Sequence, residues 1–285
     1  MFTAEMNNAY GLQKVQEANL KMLKEIDRIC TKYSIPYMLD AGTLLGAVRH
    51  GGFIPWDDDA DIAMPRNSWK AFQKVAPREL PEGMSLLVPS SFAGGKRFFD
   101  FTPRVIYDFS RRRKPDEDTA FYNEKMNHLW VDIFILDRLP DTGAGASFDR
   151  HVQMLNYLFA MGHRRKLDFS KYKGKEYLPV MIGSAVGHAV PLDFVFRCQE
   201  FWAQRNGGKK TKAWYYSNYQ PDYLYVTLQD EWLRDLRRIP FEDTTLSVSA
   251  HYDEVLKWIY GDYMKLPPME KRVPSHGSRE IEIYG

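Results

Sequence analysis

Cysteine is scarce in this chain: Cys30 and Cys198 are the only two, and they lie too far apart to form a CxxC pair or another metal-ligand spacing. A disulfide scaffold and a cysteine-ligated zinc site are thereby excluded, and reduced thiols in a cytosolic protein are expected. No uninterrupted run of about 18 apolar residues occurs, so no membrane-spanning helix is expected. The polar residues Glu5, Asn7 and Asn8 stand where a signal peptide needs an apolar stretch, so secretion is not expected either. Charge of one sign is missing as well. The 39 Lys and Arg residues nearly cancel 37 Asp and Glu, which gives no reason to expect a nucleic-acid partner. Walker, GxGxxG, HExxH and serine-elbow motifs are all absent.

What the chain does have is the material for a core. Apolar residues make up 44% of it, and a chain of this size buries roughly three quarters of its unfolded surface. Leu12, Val15, Leu23, Ile26, Ile29 and Cys30 recur at helical spacing and predict an amphipathic helix ending before Pro36. A short extended piece, Tyr37 to Asp40, then runs into Gly42-Thr43 and a small helix through Val48. Strand, glycine turn and helix start present backbone N–H groups to an anion.

Further strands are expected at Asp61 to Met64, Met84 to Val88, Arg104 to Tyr107 and Leu129 to Leu136. Helices are expected at Gln153 to Met161, Phe194 to Gln204 and Ser249 to Tyr260, with Asp141 to Gly145 as a linker. Leu178 to Phe196 is the most apolar stretch. It reads as two buried helical pieces, with docking at a membrane surface as the alternative.

The chemistry concentrates in Asp57, Asp58, Asp59 and Asp61. Asp59 and Asp61 stand two apart on an expected strand, so both side chains project from one face and can share a divalent cation. Mg²⁺ or Mn²⁺ suits such hard oxygen ligands. Asp132, an acid inside the apolar run Leu129 to Ile135, is the candidate third carboxylate. An EF-hand fails because Ile62 stands where its glycine belongs and Ser68 where its glutamate belongs.

The stretch from Leu39 to Ile62, LDAGTLLGAVRHGGFIPWDDDADI, resembles the signature of the LicD family. Trp130-Val131-Asp132-Ile133-Phe134, Tyr260-Gly261-Asp262-Tyr263-Met264, Leu266-Pro267-Pro268 and His276 extend the likeness over nearly the whole chain. Ala60 and Ser249 depart from the family pattern, and the match is weak from about Gly143 to Leu236.

The resemblance implies a mixed α/β, nucleotidyltransferase-like core over residues 1–140, a mostly helical acceptor-side insertion over 141–240 and a C-terminal segment, 241–285, returning to the core. It further implies a CDP-linked alcohol donor, above all CDP-choline, a glycan or glycolipid acceptor, release of CMP, and work in the cytoplasm or at the inner face of the membrane. Phosphoribitol, phosphoglycerol and phosphoethanolamine are the alternative cargoes, and a catalytically silent glycan- or nucleotide-binding module is the alternative class.

On this reading Asp59 and Asp61 hold the metal, and Asp132 is either its third ligand or the base for the acceptor hydroxyl. Arg49 and Arg104 are phosphate clamps. Gly42 and Thr43 bring backbone N–H groups to phosphate, while Asp57, Asp58, Trp56 and His276 line the substrate site. Trp56, Trp130 and Trp214 to Tyr219 supply rings for a quaternary ammonium.

Overall fold

The structure is a computed structural model that describes residues 10–275, 277 and 280–284; His276 and the polar residues Glu5, Asn7 and Asn8 lie outside the described residues. The first helix, α1, spans Gln13–Lys32 and buries Val15, Ala18, Met22, Leu23, Ile26 and Ile29 along one face. Full burial of each larger aliphatic side chain among these contributes about 1.5–3 kcal/mol. Strand β1 (Met38–Leu39) follows. Ala41, held at φ +46°, then turns the chain into α2 (Ala41–His50), which Gly51 terminates at φ +75°.

Strand β2 covers Asp61–Pro65. Pro65 directly precedes α3 (Arg66–Glu79), a helix that the sequence pattern does not announce. Its buried Trp69, Phe72 and Ala76 have helical spacing, but polar residues surround them and Pro77 sits in the last turn. Strands β3 (Met84–Leu87), β4 (Arg104–Tyr107) and β5 (Ser110–Arg112) come next, then the short α4 (Glu117–Phe121) and β6 (Leu129–Leu139).

The main sheet has the order β1-β2-β6-β4-β3, with β2 parallel to β6 and the other pairs of this path antiparallel. The edge of β6 opposite β2 is divided between two partners. β4 pairs with Leu129 to Asp132, and β7 (Ala213–Tyr216) pairs with Leu136 to Leu139. Asn218 closes the gap between them: its Oδ1 accepts from Ile135 N–H at 2.7 Å, and its Nδ2 donates to Ile133 O at 3.1 Å. β8 (Thr227–Gln229) lies outside β7. Helices α1 and α3 pack on β6.

A helical unit, α5 (Gly143–Met161), α6 (Tyr177–Ala189) and α7 (Leu192–Gln204), interrupts this sheet in sequence. The expected linker at Asp141 to Gly145 instead opens α5, because Thr142 Oγ1 accepts from Gly145 N–H at 3.3 Å and caps the helix. Phe98, Phe101, Tyr157, Val180, Leu192 and Val195 pack together beneath the unit. The sequence reading has the two pieces within Leu178 to Phe196 buried. In α6, however, only Val180, Ser184 and Gly187 are buried. Within residues 141–240, β7 and β8 rejoin the sheet after the helical unit.

After α8 (Asp230–Arg234) comes the hairpin β9 (Leu236–Phe241) and β10 (Thr244–Ser249), then α9 (Tyr252–Tyr260). Of Ser249 and His251, the two residues the sequence offers for the helix start, His251 directly precedes α9, while Ser249 ends the hairpin and accepts through Oγ from His251 N–H at 3.0 Å. The C-terminal β11 (Ile281–Ile283) pairs with β5.

Candidate active site

Four charged residues stand in a row across the sheet: β1 ends just before Asp40, β2 and β4 begin at Asp61 and Arg104, and the register sets Asp132 of β6 between those two. Asp40 follows β1, and its N–H donates to Asp61 O at 3.1 Å. Asp61 opens β2 opposite Asp132 of β6, and Asp132 is the register partner of Arg104 in β4. Register partners share a face of the sheet, so the Asp61 and Asp132 carboxylates project to one side. Thr43, one turn into α2, supports the row: its Oγ1 accepts the Asp61 N–H at 2.9 Å.

Arg104 is buried and engages two acids. Its Nε lies 2.8 Å from Asp132 Oδ1, a charge contact outside good hydrogen-bond alignment. Its Nη2 donates to Asp100 Oδ2 at 2.5 Å and its Nη1 to Asp100 Oδ1 at 3.1 Å. Burial works against the guanidinium charge, but Asp100 and Asp132 outweigh it and hold the Arg104 pKa above its ordinary value. Burial also lifts the Asp132 carboxyl to about 6, against the pull of Arg104. Trp130 Nε1 donates to Asp132 Oδ2 at 3.2 Å and fixes its orientation.

Asp61 has no such cation among these contacts. Burial, then Asp59, Asp132, Asp57 and Asp40, push its pKa well above the carboxylate range. A buried acid ringed by four others is the electrostatic setting a divalent cation relieves. Among the described residues no three carboxylate, histidine or cysteine side chains already converge as a metal site. The donors are thus right in chemical type and adjacent on the sheet, while Asp132 is oriented toward Arg104. Asp58 and Asp59 line a narrow cleft of about 50 Å³ with Trp130, Asp132 and His128. Asp59 precedes β2 rather than belonging to it. Asp58 is fully buried and accepts from Ser275 N–H at 3.1 Å.

A second cluster sits at the other side of the acidic run. A Cβ on Gly42 would meet Asp57 Oδ2 at 2.6 Å, so glycine there admits the Asp57 carboxylate to the start of α2. Arg49, near the end of α2, donates from Nη1 to Tyr263 O at 2.8 Å. Burial first, then the neighbouring Arg272, lower the Arg49 pKa, while Asp57 opposes them. Arg272 in turn lies over the Trp56 ring, 5.5 Å from its centroid. Two repelling guanidiniums at a partly open position suit a polyanionic ligand. His50 is neutral at pH 7, since burial and Arg49 bring its pKa down to about 4.

Aromatic rings form a wall beside the carboxylates. Tyr219 stacks on Phe134 with centroids 4.2 Å apart and on Tyr223 at 4.1 Å. Burial raises the Tyr219 phenol pKa, and Tyr223, Asp61 and Asp132 raise it further, which places the ring near the acids. Tyr260 has Asp40, Tyr223, Asp61 and Asp57 as electrostatic neighbours, again after burial. Tyr216 donates from its hydroxyl to Asp40 Oδ1 at 3.0 Å; Asp40 itself is lifted by burial to about 6. Trp214 is elsewhere, paired with Asp230 through Nε1 and covered by Arg138.

The structure therefore gathers Asp59, Asp61, Asp132, Trp130 and Arg104 in one group and Gly42, Asp57, Arg49 and Trp56 in another beside it. Sequence reasoning missed Asp100, Tyr223, Tyr260 and the structural partner role of Asp40. The sign for Asp100 was available: an acid inside Phe98-Phe99-Asp100-Phe101 needs a partner. A wider cavity of about 410 Å³ opens across the sheet, on the Ile135 face, but the Arg66 that lines it is already paired with Asp137 and Glu200.

The family described as LicD/FKTN/FKRP, nucleotidyltransferase domain, matches residues 34–173. The lipopolysaccharide cholinephosphotransferase LicD of Haemophilus influenzae is 30% identical over 93% of this chain and 96% of its own length. An uncharacterized protein of Rickettsia prowazekii is 41% identical over 42% of this chain and 40% of its own.

Proposed function

Because the chain belongs to the LicD family, we propose that it transfers phosphocholine from CDP-choline to a hydroxyl of a cell-surface glycan and releases CMP. The observation that carries this reading is the Asp61, Asp132, Arg104 row across three adjacent strands. The name of the Haemophilus relative, a lipopolysaccharide cholinephosphotransferase, supports the cargo and the kind of acceptor.

Asp59 and Asp61 would hold Mg²⁺ or Mn²⁺. Such an ion, when bound, supplies charge neutralisation to the diphosphate. Asp132 has its charge matched by Arg104 and its pKa lifted toward neutrality, which fits it to take the proton of the acceptor hydroxyl. The acceptor oxygen then bonds to the phosphorus that carries choline. The bond from that phosphorus to the bridging oxygen breaks, and CMP leaves with the oxygen and its electron pair. Arg49, with Arg272 beside it, clamps the diphosphate. Tyr219, Tyr223 and Tyr260 receive the trimethylammonium, because rings near carboxylates attract a quaternary cation.

The test offers CDP-choline, CDP-ethanolamine, CDP-glycerol and CDP-ribitol in parallel to purified protein with Mg²⁺ and with a chelator, and follows CMP by chromatography. Metal-dependent CMP from CDP-choline supports the reading; CMP from another donor alone replaces the cargo. In Tyr219→Ala the KM for CDP-choline is expected to rise roughly threefold to thirtyfold. An unchanged KM removes the aromatic wall from choline recognition.

A further inference from the structure

Helix α6 is built the wrong way round for a helix that faces water. Its sequence, Tyr177 to Ala189, contains no Asp, Glu, Lys or Arg, yet only Val180, Ser184 and Gly187 are buried. The face turned to the protein is the one with small residues. A Cβ on Gly183 would meet Leu158 of α5 at 3.3 Å, and Gly187 and Gly162 lie so close to facing backbone that a Cβ would not fit. The large side chains point outward: Leu178 is 57% exposed, Ile182 56% and Val186 50%. An apolar helix whose large residues avoid the core is the arrangement of a helix in a lipid environment, where small residues make the protein contact.

Length and charge select how it meets lipid. No described helix is long and apolar enough to cross a membrane; α6 and α7 qualify only as a pair, and they bend by 113°. A helix of 13 residues is about 20 Å long, short of the roughly 30 Å hydrocarbon core. The approach to α6 is basic: Lys166, Lys171, Lys173 and Lys175 are all exposed, against Asp168 and Glu176. An apolar stripe bordered by lysines is complementary to an anionic bilayer surface, with the apolar side chains among the acyl chains and the ammonium groups at headgroup level.

We propose that α6 is a membrane-surface anchor, lying in the plane of an anionic bilayer with Leu178, Ile182 and Val186 inserted and Lys171, Lys173 and Lys175 on the headgroups. Such an anchor would bring the chain to amphiphilic acceptors held in that bilayer. The proposal stands on α6 and the lysines that precede it, and does not depend on the cargo transferred.

Flotation with vesicles tests it, using equal parts phosphatidylglycerol and phosphatidylcholine, and phosphatidylcholine alone as control. The full chain is expected to float with the anionic vesicles and to lose most of that binding on the neutral ones or in high salt. Ile182→Asn should weaken partitioning roughly tenfold. The triple change Lys171→Glu, Lys173→Glu, Lys175→Glu should weaken it by at least roughly tenfold. Both variants alter exposed side chains, so their circular dichroism and melting temperature should match the parent. Failure of the parent to float overturns the proposal. So does a parent that forms a dimer in light scattering which Ile182→Asn dissolves, since the face would then belong to a second copy.

Discussion

Arg104 Nε stands 2.8 Å from Asp132 Oδ1, across a register in which the two residues face each other on adjacent strands. With Asp100 on its other side, Arg104 neutralises acids that burial would otherwise penalise. Removing the cation leaves the buried Asp100 and the half-buried Asp132 without a charge partner, a loss that typically costs about 3–5 kcal/mol. Arg104→Gln is therefore expected to lower the unfolding free energy, extrapolated from urea titration, by that amount. Arg104→Lys should fold but lose most turnover, because an ammonium cannot hold Asp100 and Asp132 together as the planar fork does. A lysine variant with full CMP release would remove Arg104 from the positioning of Asp132.

The Arg66 and Asp137 pair offers a control remote from the reaction. Arg66 donates from Nε and Nη2 to Asp137, with the closest contact at 2.5 Å, and Ser217 Oγ also donates to Asp137 Oδ2 at 2.5 Å. Both residues are buried. Asp137→Ala is expected to destabilise by about 3–5 kcal/mol in denaturant unfolding, while the KM for the donor in the remaining folded enzyme stays unchanged. A raised donor KM with normal stability would relocate the donor site to the Arg66 side.

His50 gives a pH dependence whose sign follows from its lowered pKa. Burial and Arg49 hold it at about 4 in the folded chain, against about 6.5 when unfolded. Between those values the unfolded state binds more protons, so stability rises with pH across the window and is lost as pH falls from about 6.5 toward 4. Allowing for its partial exposure, the contribution is about 1–2 kcal/mol. Melting temperatures of His50→Asn and parent should diverge in that window, with the variant flatter. Parallel curves would show that His50 is protonated in the folded protein.

Much of the sheet and of the acidic site is legible in the sequence because each rests on a local signal. Arg104 to Tyr107 and Asp61 onward are apolar runs with sharp ends, and an acid in the run around Asp132 calls for a partner, which Arg104 supplies. Where the signal is non-local, the reading fails. Tyr223 and Tyr260 reach the site only because Asn218 docks its loop on β6 and α9 returns to the core. α3 is obscured by its own polarity and by Pro77. The apolar stretch at α6 misleads in the opposite direction: composition suggests burial, and only the packing of Ser184 and Gly187 on α5 reveals that the large residues face outward.

Asp61→Asn asks whether the carboxylate row performs phosphoryl transfer. Asparagine preserves the shape of a buried side chain and removes a charge that burial and four neighbouring acids already disfavour. The variant should therefore melt no lower than the parent. Its metal-dependent release of CMP from CDP-choline is expected to fall by roughly a thousandfold. Release at the parental rate from a folded Asp61→Asn enzyme would exclude Asp61 from the reaction.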